Sequence, residues 1–167
     1  MHIPIETVRA VPAMNLDAVN QLIEDISPKP VDPYMDHSVS PSFWVACTVP
    51  PVAGLEVVGY SSIYGFDPVS QRCRADVWVH PAVENAQEVV RALVSQRDRH
   101  LINVLNVRRI EWAVPAEDDQ RIKAAVSLGY HSEGLLREAV YYDGKYHDIT
   151  LLALLRSDLD LARNRVM

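Results

Sequence analysis

Residues 129–158, GYHSEGLLREAVYYDGKYHDITLLALLRSD, carry the strongest fold signal in the chain. One turn signal, Asp143-Gly144, separates a β-branched and aromatic run at 139–142 from an aliphatic run at 149–155. Asp-Gly between two such runs indicates a hairpin, because the tight turn needs positive φ angles that these two residues tolerate. A hairpin alone is marginal in water, so the preceding residues must supply a sheet and helices for it to join.

The composition predicts one ordinary globular domain over residues 1–167. The chain has 16 Lys plus Arg against 22 Asp plus Glu, a net charge of −6, whereas nucleic-acid binders carry a basic excess. Its longest apolar run, 151–155, is far below the ~20 residues of a membrane span, and its first residues lack a signal-peptide pattern. We therefore expect a cytoplasmic protein with neither nucleic-acid nor membrane partners. Cys47 and Cys73 lack metal-ligand spacing and are expected to be free thiols, with no metal site.

The first half of the chain predicts a strand, a helix, a loop and three more strands. Residues 3–11 are strand-like, and Asn15 precedes an amphipathic helix. Four prolines between 27 and 41 indicate an exposed loop, either a plain surface loop or one that lines a substrate site. Three candidate substrate contacts lie in this loop: Tyr34, Asp36 and His37. Three β-rich runs separated by turn signals then predict an antiparallel meander: 43–49, 55–64 and 74–79.

The second half changes to a helical period after Pro81. Apolar residues recur on one face of a predicted helix of ~20 residues: Ala86, Val89, Val90, Leu93, Val94, Leu101 and Leu105. The basic residues Arg97, Arg99 and His100 are expected on its solvated face. Residues 109–114 form a buried strand that this crossover places parallel to the strand ending at Val79. A second helix over 117–128, capped by Gly129, should turn four residues inward: Ile122, Ala125, Val126 and Leu128.

The order and motifs of this second half resemble the GNAT acetyltransferases, and within them the branch that acetylates ribosomal-protein N-termini. The matching segments are RIEWAV at 109–114, LGY at 128–130, EGLLREAVYYDG at 133–144, YHD at 146–148 and LLRSD at 154–158. Weaker matches occur at 58–60, 67–69 and 79–81, and the resemblance covers roughly residues 55–158. The first fifty residues agree only in the order of their elements.

The resemblance implies an α/β (α+β) GNAT fold. Such a fold has a mixed, mostly antiparallel central sheet of about seven strands, flanked by helices, with parallel strands four and five splayed apart and a C-terminal β-hairpin. The pantetheine arm of acetyl-CoA lies in that wedge, and its pyrophosphate meets the start of the following helix. Nine residues would then bind the cofactor: Val77, Trp78, Val79, Glu84, Asn85, Ala86, Gln87, Asp118 and Arg121.

The phosphate loop departs from the family pattern R/Q-x-x-G-x-G/A. No glycine occurs between Pro81 and Leu93, and the loop offers Glu84 and Glu88 where the family has a basic residue. A carboxylate ~6 Å from a phosphate costs roughly 0.7–3 kcal/mol, more than the ~0.3–1 kcal/mol that an exposed helix N-terminus contributes. The two glutamates either oppose the phosphate or point away and simply stabilise the first turn of the helix.

Acetyl transfer needs a base that leaves the acceptor amine neutral. Asp76 is the first choice because it lies within the strand that borders the wedge, with His80 and Glu111 as further candidates. On the hairpin, Tyr141 and His147 are candidate acceptor contacts, although strand residues at this spacing also pack against a sheet.

Two functions follow from this sequence. The first is an acetyl-CoA-dependent N-acetyltransferase acting on a primary amine, either a protein N-terminus or a small amine. The second is a GNAT fold that has lost acetyl-CoA turnover and serves as a binding or assembly module, since a fold alone does not establish function. Pairing through the terminal hairpin is common in this fold, so a homodimer is an expected assembly.

Overall fold

The protein is described from a computed structural model that covers residues 1–12, 42–52 and 55–159, with side chains at 1–10 and 57–159. The described residues form one seven-stranded sheet in the order β1-β2-β3-β4-β5-β7-β6. Its strands are β1 Val8–Pro12, β2 Ser42–Val52, β3 Leu55–Asp67, β4 Arg72–Val79, β5 Arg109–Pro115, β6 His131–Tyr142 and β7 Lys145–Leu155. The described helices include α1 Ala86–Asn103 and α2 Asp119–Ser127, and a 3-10 turn, Ile5–Thr7, precedes β1.

The predicted hairpin and meander are both present. Asp143 and Gly144 take φ angles of 55° and 79° in the two-residue turn between β6 and β7, the left-handed conformation that the Asp-Gly signal predicts. Strands β2, β3 and β4 pair antiparallel as consecutive neighbours. The mixed, mostly antiparallel sheet expected from the sequence is therefore confirmed.

The parallel pair β4 and β5 opens into a wedge. Their register runs from Arg72↔Arg109 to Arg74↔Glu111. Beyond that last pair, β4 stays on β3 up to Gly59↔Val79, while β5 stays on β7 up to Pro115↔Ile149. The two strands thus follow different neighbours and separate, which is the expected splay.

Helix α1 covers one face of the sheet with a stripe of fully buried aliphatic residues. Val89, Leu93 and Val94 are 0% exposed and pack in the same core as Trp112 of β5. Helix α2 begins after Asp118, whose side chain caps it by accepting a hydrogen bond from the Arg121 backbone N–H. It ends at Ser127, and Gly129 follows the C-cap with a φ of 96°, the left-handed geometry of a helix stop.

Three sequence predictions about these helices are wrong. Helix α1 ends at Asn103, so Leu105 is 52% exposed and Val107 enters the core instead. On α2, Ala124 and Ala125 face inward while Val126 is 54% exposed, because nine residues offer only a narrow buried stripe. Arg97, expected in solvent, is 0% exposed and lies beneath the sheet among polar partners.

Several predictions lie outside the described residues. These are the helix after Asn15 and the loop over 27–41 with Tyr34, Asp36 and His37.

Cys73 is a buried free thiol whose pKa rises to about 12 because of burial. In the part of the chain that the structure describes, no helix is long and apolar enough to cross a membrane.

Candidate functional site

A cleft of about 290 Å³ opens where β4 leaves β5. It is bounded by the end of β4 and the first turns of α1 and α2. Its lining residues are Val77, Trp78, Val79, Pro81, Ala86, Gln87, Val90, Asp118, Gln120 and Arg121. Seven of the nine residues predicted to bind cofactor are among them. Glu84 and Asn85 are not, because both are bonded to the N-terminal segment.

The start of α1 presents backbone donors to this cleft. The first N–H groups of a helix have no intrahelical acceptor, and Ala86 and Gln87 stand at that position. Glu84 instead forms an ion pair of 2.6 Å with the Met1 amino group, which also lowers the pKa of Glu84. Asn85 exchanges hydrogen bonds of 2.9 Å and 2.7 Å with the Ile3 backbone.

Glu88, the second of the two glutamates, is also held by a neighbouring side chain, because its carboxylate accepts a 3.2 Å hydrogen bond from Asn85 Nδ2. Neither Glu84 nor Glu88 lines the cleft. Of the two alternatives left by the sequence, these contacts match glutamates that turn away from the cleft. The negative charge that would oppose a phosphate is thereby displaced from the cleft lining.

Arg121 is the cation of the cleft lining within the described residues. Its guanidinium bonds Asp118 at 2.6 Å, reaches the Val77 carbonyl oxygen at 3.4 Å and lies 4.9 Å from the centroid of the Trp78 ring. These contacts hold the positive charge between α2 and the free edge of β4. A planar guanidinium in such a position suits an anionic or flat ligand.

Asp76 lies at the inner end of the wedge and is 3% exposed. Its Oδ1 accepts a 2.7 Å hydrogen bond from the Val77 backbone N–H and a 3.1 Å bond from Trp112 Nε1. Arg121 Nη1 is 3.7 Å from the same oxygen. The carboxylate is therefore held in one orientation by donors from β4, β5 and α2.

The other two candidate bases stand elsewhere. His80 follows β4, and its Nδ1 accepts the Ala82 backbone N–H at 3.1 Å, which makes it part of the turn into α1. Glu111 points away from Asp76 into a cluster of arginines, where Arg109 donates to it at 2.7 Å and Arg74 at 3.3 Å. Burial acts against ionisation, yet these two guanidinium groups lower the pKa of Glu111 overall.

A second cavity of about 190 Å³ lies beside this arginine cluster. Four strands contribute its lining residues, which are Arg74, Arg109, Glu111, Trp112, Ala113, Glu133, Leu136, Leu151 and Leu152. The Trp112 indole alternates with Glu111 and Ala113 along β5, so it lies on the face of the sheet opposite this cavity. It bonds Asp76, which in turn is 3.7 Å from Arg121 of the first cleft. Within the described residues, Asp76 is in the lining of neither cavity.

The hairpin candidates separate into two groups. Tyr141 is 59% exposed and packs edge-on against Tyr146, with ring centroids 5.0 Å apart, on the hairpin surface. His147 is 7% exposed, stacks on Tyr142 at 3.6 Å and bonds Glu117, the residue before the α2 cap. Tyr142 also donates to Glu117 at 2.7 Å. His147 therefore ties the hairpin to the start of α2.

Sequence reasoning missed three residues that help to form these sites: Trp112, Arg109 and Glu133. The sequence places Trp112 in a buried strand but does not signal that it donates a hydrogen bond to the predicted base. Arg109 and Glu133 are far apart in the chain and form a two-bond ion pair, with Nη1 to Oε1 at 2.9 Å. Alternation along RIEWAV could have signalled that Arg109 and Glu111 share a face opposite Trp112.

The fold matches solved polyamine acetyltransferases. SpeG spermidine/spermine N-acetyltransferase from Vibrio cholerae, solved with manganese ions, has a TM-score of 0.74 at 16% identity over 95% of this chain and 98% of that chain. The same enzyme in complex with CoA and spermine has a TM-score of 0.73 at 14% identity over 92% of this chain and 98% of that chain. A dodecameric form matches with a TM-score of 0.73 at 15% identity, over 92% and 96% of the two chains.

No protein-family model and no curated protein sequence matches the chain. The sequence identities to these solved structures, between 14% and 16%, are too low to establish an activity. The structural similarity does establish the fold. The ribosomal-protein branch stays a prediction. The chain has the GNAT fold, with the wedge between β4 and β5 open and lined by residues of both helix starts.

Proposed function

We propose that this protein is an acetyl-CoA-dependent N-acetyltransferase that acts on a primary amine, either a small amine or a protein N-terminus. The observation that carries the proposal is the open cleft of about 290 Å³ between the end of β4 and the two helix starts, with the buried Asp76 carboxylate 3.7 Å from the Arg121 that lines it. The likeness to an acetyltransferase solved with CoA and spermine supports the same assignment.

The cleft residues fit a CoA-type ligand in three respects. The outer backbone edge of β4 at Val77–Val79 is not paired with β5, so it offers hydrogen-bonding groups to an amide-containing arm. The start of α1 offers its first N–H groups and a positive dipole end to a pyrophosphate. Arg121 adds a full positive charge beside them. Together these groups compensate for the missing glycine loop.

The chemistry is an acyl transfer that requires little covalent participation by the protein. When bound, acetyl-CoA supplies a thioester carbonyl; a neutral amine forms a C–N bond to it, the C–S bond breaks, and the proton lost by the nitrogen balances the thiolate. Asp76, directly or through water, is the group that can take this proton from the amine. Trp112 and the Val77 N–H are positioning donors that keep its carboxylate aimed into the wedge.

Calorimetric titration with acetyl-CoA tests binding. Arg121→Gln should weaken acetyl-CoA about 10- to 100-fold, because a hydrogen bond to a charged group contributes roughly 1.5–3 kcal/mol. Lys123→Gln is the matched control: it removes a cation from the same helix whose side chain is 72% exposed, and it should leave affinity unchanged. No detectable heat at millimolar acetyl-CoA would overturn the enzyme assignment in favour of a binding module.

Release of free CoA thiol during turnover tests the role of Asp76. Asp76→Asn keeps an acceptor for Trp112 but removes the proton acceptor, so kcat should fall about 100-fold or more while acetyl-CoA binding persists. A variant that binds acetyl-CoA and retains wild-type kcat would exclude Asp76 as base. Unfolding curves for both proteins distinguish this result from a loss of folded protein.

The same proposal includes assembly. The outer strand β6 lies at one edge of the sheet, and the exposed Tyr141 and Tyr146 pair stands at the tip of its hairpin. The structurally similar spermidine N-acetyltransferase from Vibrio cholerae has a dodecameric structure. We expect a homodimer or larger assembly, and sedimentation velocity of the wild type against a Tyr141→Ser, Tyr146→Ser variant measures whether this hairpin takes part.

A further inference from the structure

We infer that Asn85 is a positioning residue for the phosphates of the cofactor. Its side chain ties the N-terminal segment (residues 1–3) to the chain just before α1, and this tie keeps the first backbone N–H groups of α1 free to face the cleft. The inference rests on the proposed acetyl-CoA site for its ligand. It adds a residue that does not line the cleft, and it assigns to the N-terminal segment the support that the missing glycine-rich loop would give.

The N-terminal segment pairs with the residues that precede α1. In this pairing the Asn85 side-chain amide stands in for a peptide unit: its Oδ1 accepts the Ile3 backbone N–H at 2.9 Å, and its Nδ2 donates to the Ile3 carbonyl oxygen at 2.7 Å. One residue earlier, the Glu84 backbone N–H donates to the Met1 carbonyl oxygen at 2.9 Å. Neither Glu84 nor Asn85 lines the cleft, so these hydrogen bonds hold the loop from behind.

Apolar packing gives this pairing a fixed partner. The Ile3 side chain is 0% exposed and lies in the same core as Val83, which precedes α1, and Val89 in its first turns. A side chain in a close-packed core has little freedom to move, and its backbone is held with it. Asn85 is therefore bonded to the body of the fold rather than to a mobile end of the chain.

The bonds to Ile3 divert Asn85 from the usual role of its position. Asn85 is the N-cap residue of α1, where an asparagine side chain commonly accepts an N–H of the first helical turn. Within the described residues, no side-chain cap bond closes the start of this helix. Ala86 and Gln87 carry the first N–H groups of α1, and both line the cleft. The diverted cap thus leaves these donors for an anion.

The same side chain also restrains a negative charge. Asn85 Nδ2 donates to the Glu88 carboxylate at 3.2 Å, and Glu88 is not in the cleft lining. Without this bond the exposed Glu88 carboxylate is free to approach a phosphate at the start of α1, where like charges repel. Loss of Asn85 therefore acts against phosphate binding in two ways.

Helix α1 supplies a matched control further along its length. Gln96 holds β1 in the way that Asn85 holds the N-terminal segment: its Oε1 accepts the Ala10 backbone N–H at 2.9 Å, and its Nε2 lies 3.4 Å from the Val8 carbonyl oxygen. A helical rise of 1.5 Å per residue places Gln96 roughly 16 Å from Asn85. Gln96→Ala removes a link of the same kind and leaves the phosphate position unchanged.

Two ligands separate phosphate binding from binding of the thioester arm. S-acetylpantetheine keeps that arm and lacks the phosphates and the nucleotide of acetyl-CoA. In calorimetric titrations, Asn85→Ala should weaken acetyl-CoA about 10-fold, because a hydrogen bond to a charged group is misaligned, and should change S-acetylpantetheine less than about 2-fold. Gln96→Ala should change neither affinity, although both variants should unfold at a lower temperature.

Asn85→Ser separates positioning from stability. Serine is a favourable N-cap residue, so its hydroxyl should cap α1 and recover part of the thermal stability that Asn85→Ala loses. It is too short to replace the amide in both bonds to Ile3, and a cap bond occupies one of the helix donors. Acetyl-CoA affinity should therefore stay about 10-fold below that of the wild type. Affinity that recovers together with thermal stability would show that Asn85 acts only through the stability of the helix end.

Inorganic pyrophosphate distinguishes failure of this inference from failure of the proposed function, because its binding requires no acetyl transfer. Pyrophosphate binding that Asn85→Ala weakens and Gln96→Ala preserves supports the inference, even in a protein without turnover. Wild-type acetyl-CoA affinity in Asn85→Ala overturns it in an active enzyme, and so does an equal loss for S-acetylpantetheine or an equal loss in Gln96→Ala. A wild type that binds neither acetyl-CoA nor pyrophosphate at millimolar concentration also overturns it.

Discussion

Two arginine and carboxylate clusters in this protein contain similar groups and are exposed to very different extents. In the sealed cluster, Arg97 is 0% exposed and bonds Asp98 at 2.7 Å, Ser61 at 2.7 Å and Tyr130 at 2.9 Å. In the open cluster, Arg109 bonds Glu111 and Glu133, and their side chains are between 21% and 42% exposed. One cluster has no solvent face, and the other borders a cavity.

The difference indicates what each cluster does. The sealed network satisfies its own donors, and Ser61 extends it by donating to the Asp76 carbonyl oxygen at 2.7 Å, which fixes the β4 backbone at the wedge. Burial alone would lower the pKa of Arg97, but the adjacent Asp98 raises it overall, so the guanidinium stays charged. The open network keeps charges where a ligand can exchange with them. Burial thus separates a sealed network from one that borders a cavity.

Arg97→Met should give the largest loss of stability. It leaves the Asp98 carboxylate in the core without its cation, and breaking a buried pair in this way costs about 3–5 kcal/mol. The change is measured as the shift in urea midpoint at constant slope. Replacing both partners, Arg97→Met with Asp98→Leu, should restore part of the loss. A single-variant loss below about 1 kcal/mol would show that the sealed cluster is not held by this pair.

Tyr130→Phe should have the next largest effect. The hydroxyl accepts from Arg97 and donates to Asp98 at 2.8 Å, while its ring packs edge-on against Trp112 with centroids 5.9 Å apart. The substitution keeps the ring and removes one link, which costs about 1–3 kcal/mol for buried partners left unpaired. Thermal unfolding measures it. A neutral result would mean that Arg97 and Asp98 satisfy each other without the hydroxyl.

Glu111→Gln tests the open cluster through its pH dependence. The folded-state pKa of Glu111 lies below its unfolded value of about 4.3, so the ionised form stabilises the fold above that value. This contribution, about 1 kcal/mol for a partly exposed group, is lost as pH falls through the lower folded pKa. The free energy of unfolding of the wild type should therefore exceed that of the variant most at pH 7, and the two values should converge at acidic pH. A difference that grows on acidification would contradict this assignment.

Glu133→Gln should have the smallest effect on stability. Its carboxylate is 42% exposed and pairs with Arg109 at the cavity rim, a setting in which ion pairs contribute about 0–1 kcal/mol. Added salt should reduce even this difference, because solvent-exposed charges are screened. Unfolding at low and high ionic strength measures it. A salt-independent loss comparable to that of Tyr130→Phe would place the pair with the structural networks.

Local signals predicted the elements that depend on local chemistry. The Asp143-Gly144 turn, the antiparallel meander and the stop at Gly129 each follow from backbone preferences of one or two residues. The helical period correctly predicted that Val89 and Leu93 are buried, but it wrongly predicted a buried Leu105. Periodicity does not tell where a helix ends and the chain turns. Arg97 failed for a related reason: its partners Ser61 and Tyr130 are distant in sequence, so charge alone indicated solvent.

The candidate site divides in the same way. Val77–Val79 and Arg121 could be named from the sequence because they stand in segments whose order matches a known fold. Trp112 as a partner of Asp76 could not, since the contact depends on how far β5 diverges from β4. The sequence also does not show which way the Glu84 side chain points, because only folding brings the Met1 amino group close enough to pair with it.

By itself, the sequence determined the order of the described strands and helices and the terminal hairpin, because turn chemistry and hydrophobic period act over a few residues, and its resemblance to the GNAT acetyltransferases predicted the fold. Only the tertiary structure decided which charges are sealed and which face a cavity. Four strands that are distant in the chain converge on the second cavity, and the crossover through α1 and the final hairpin are what bring Arg74, Arg109 and Glu133 together. Exposure is a property of that packing, and no short stretch of sequence contains it.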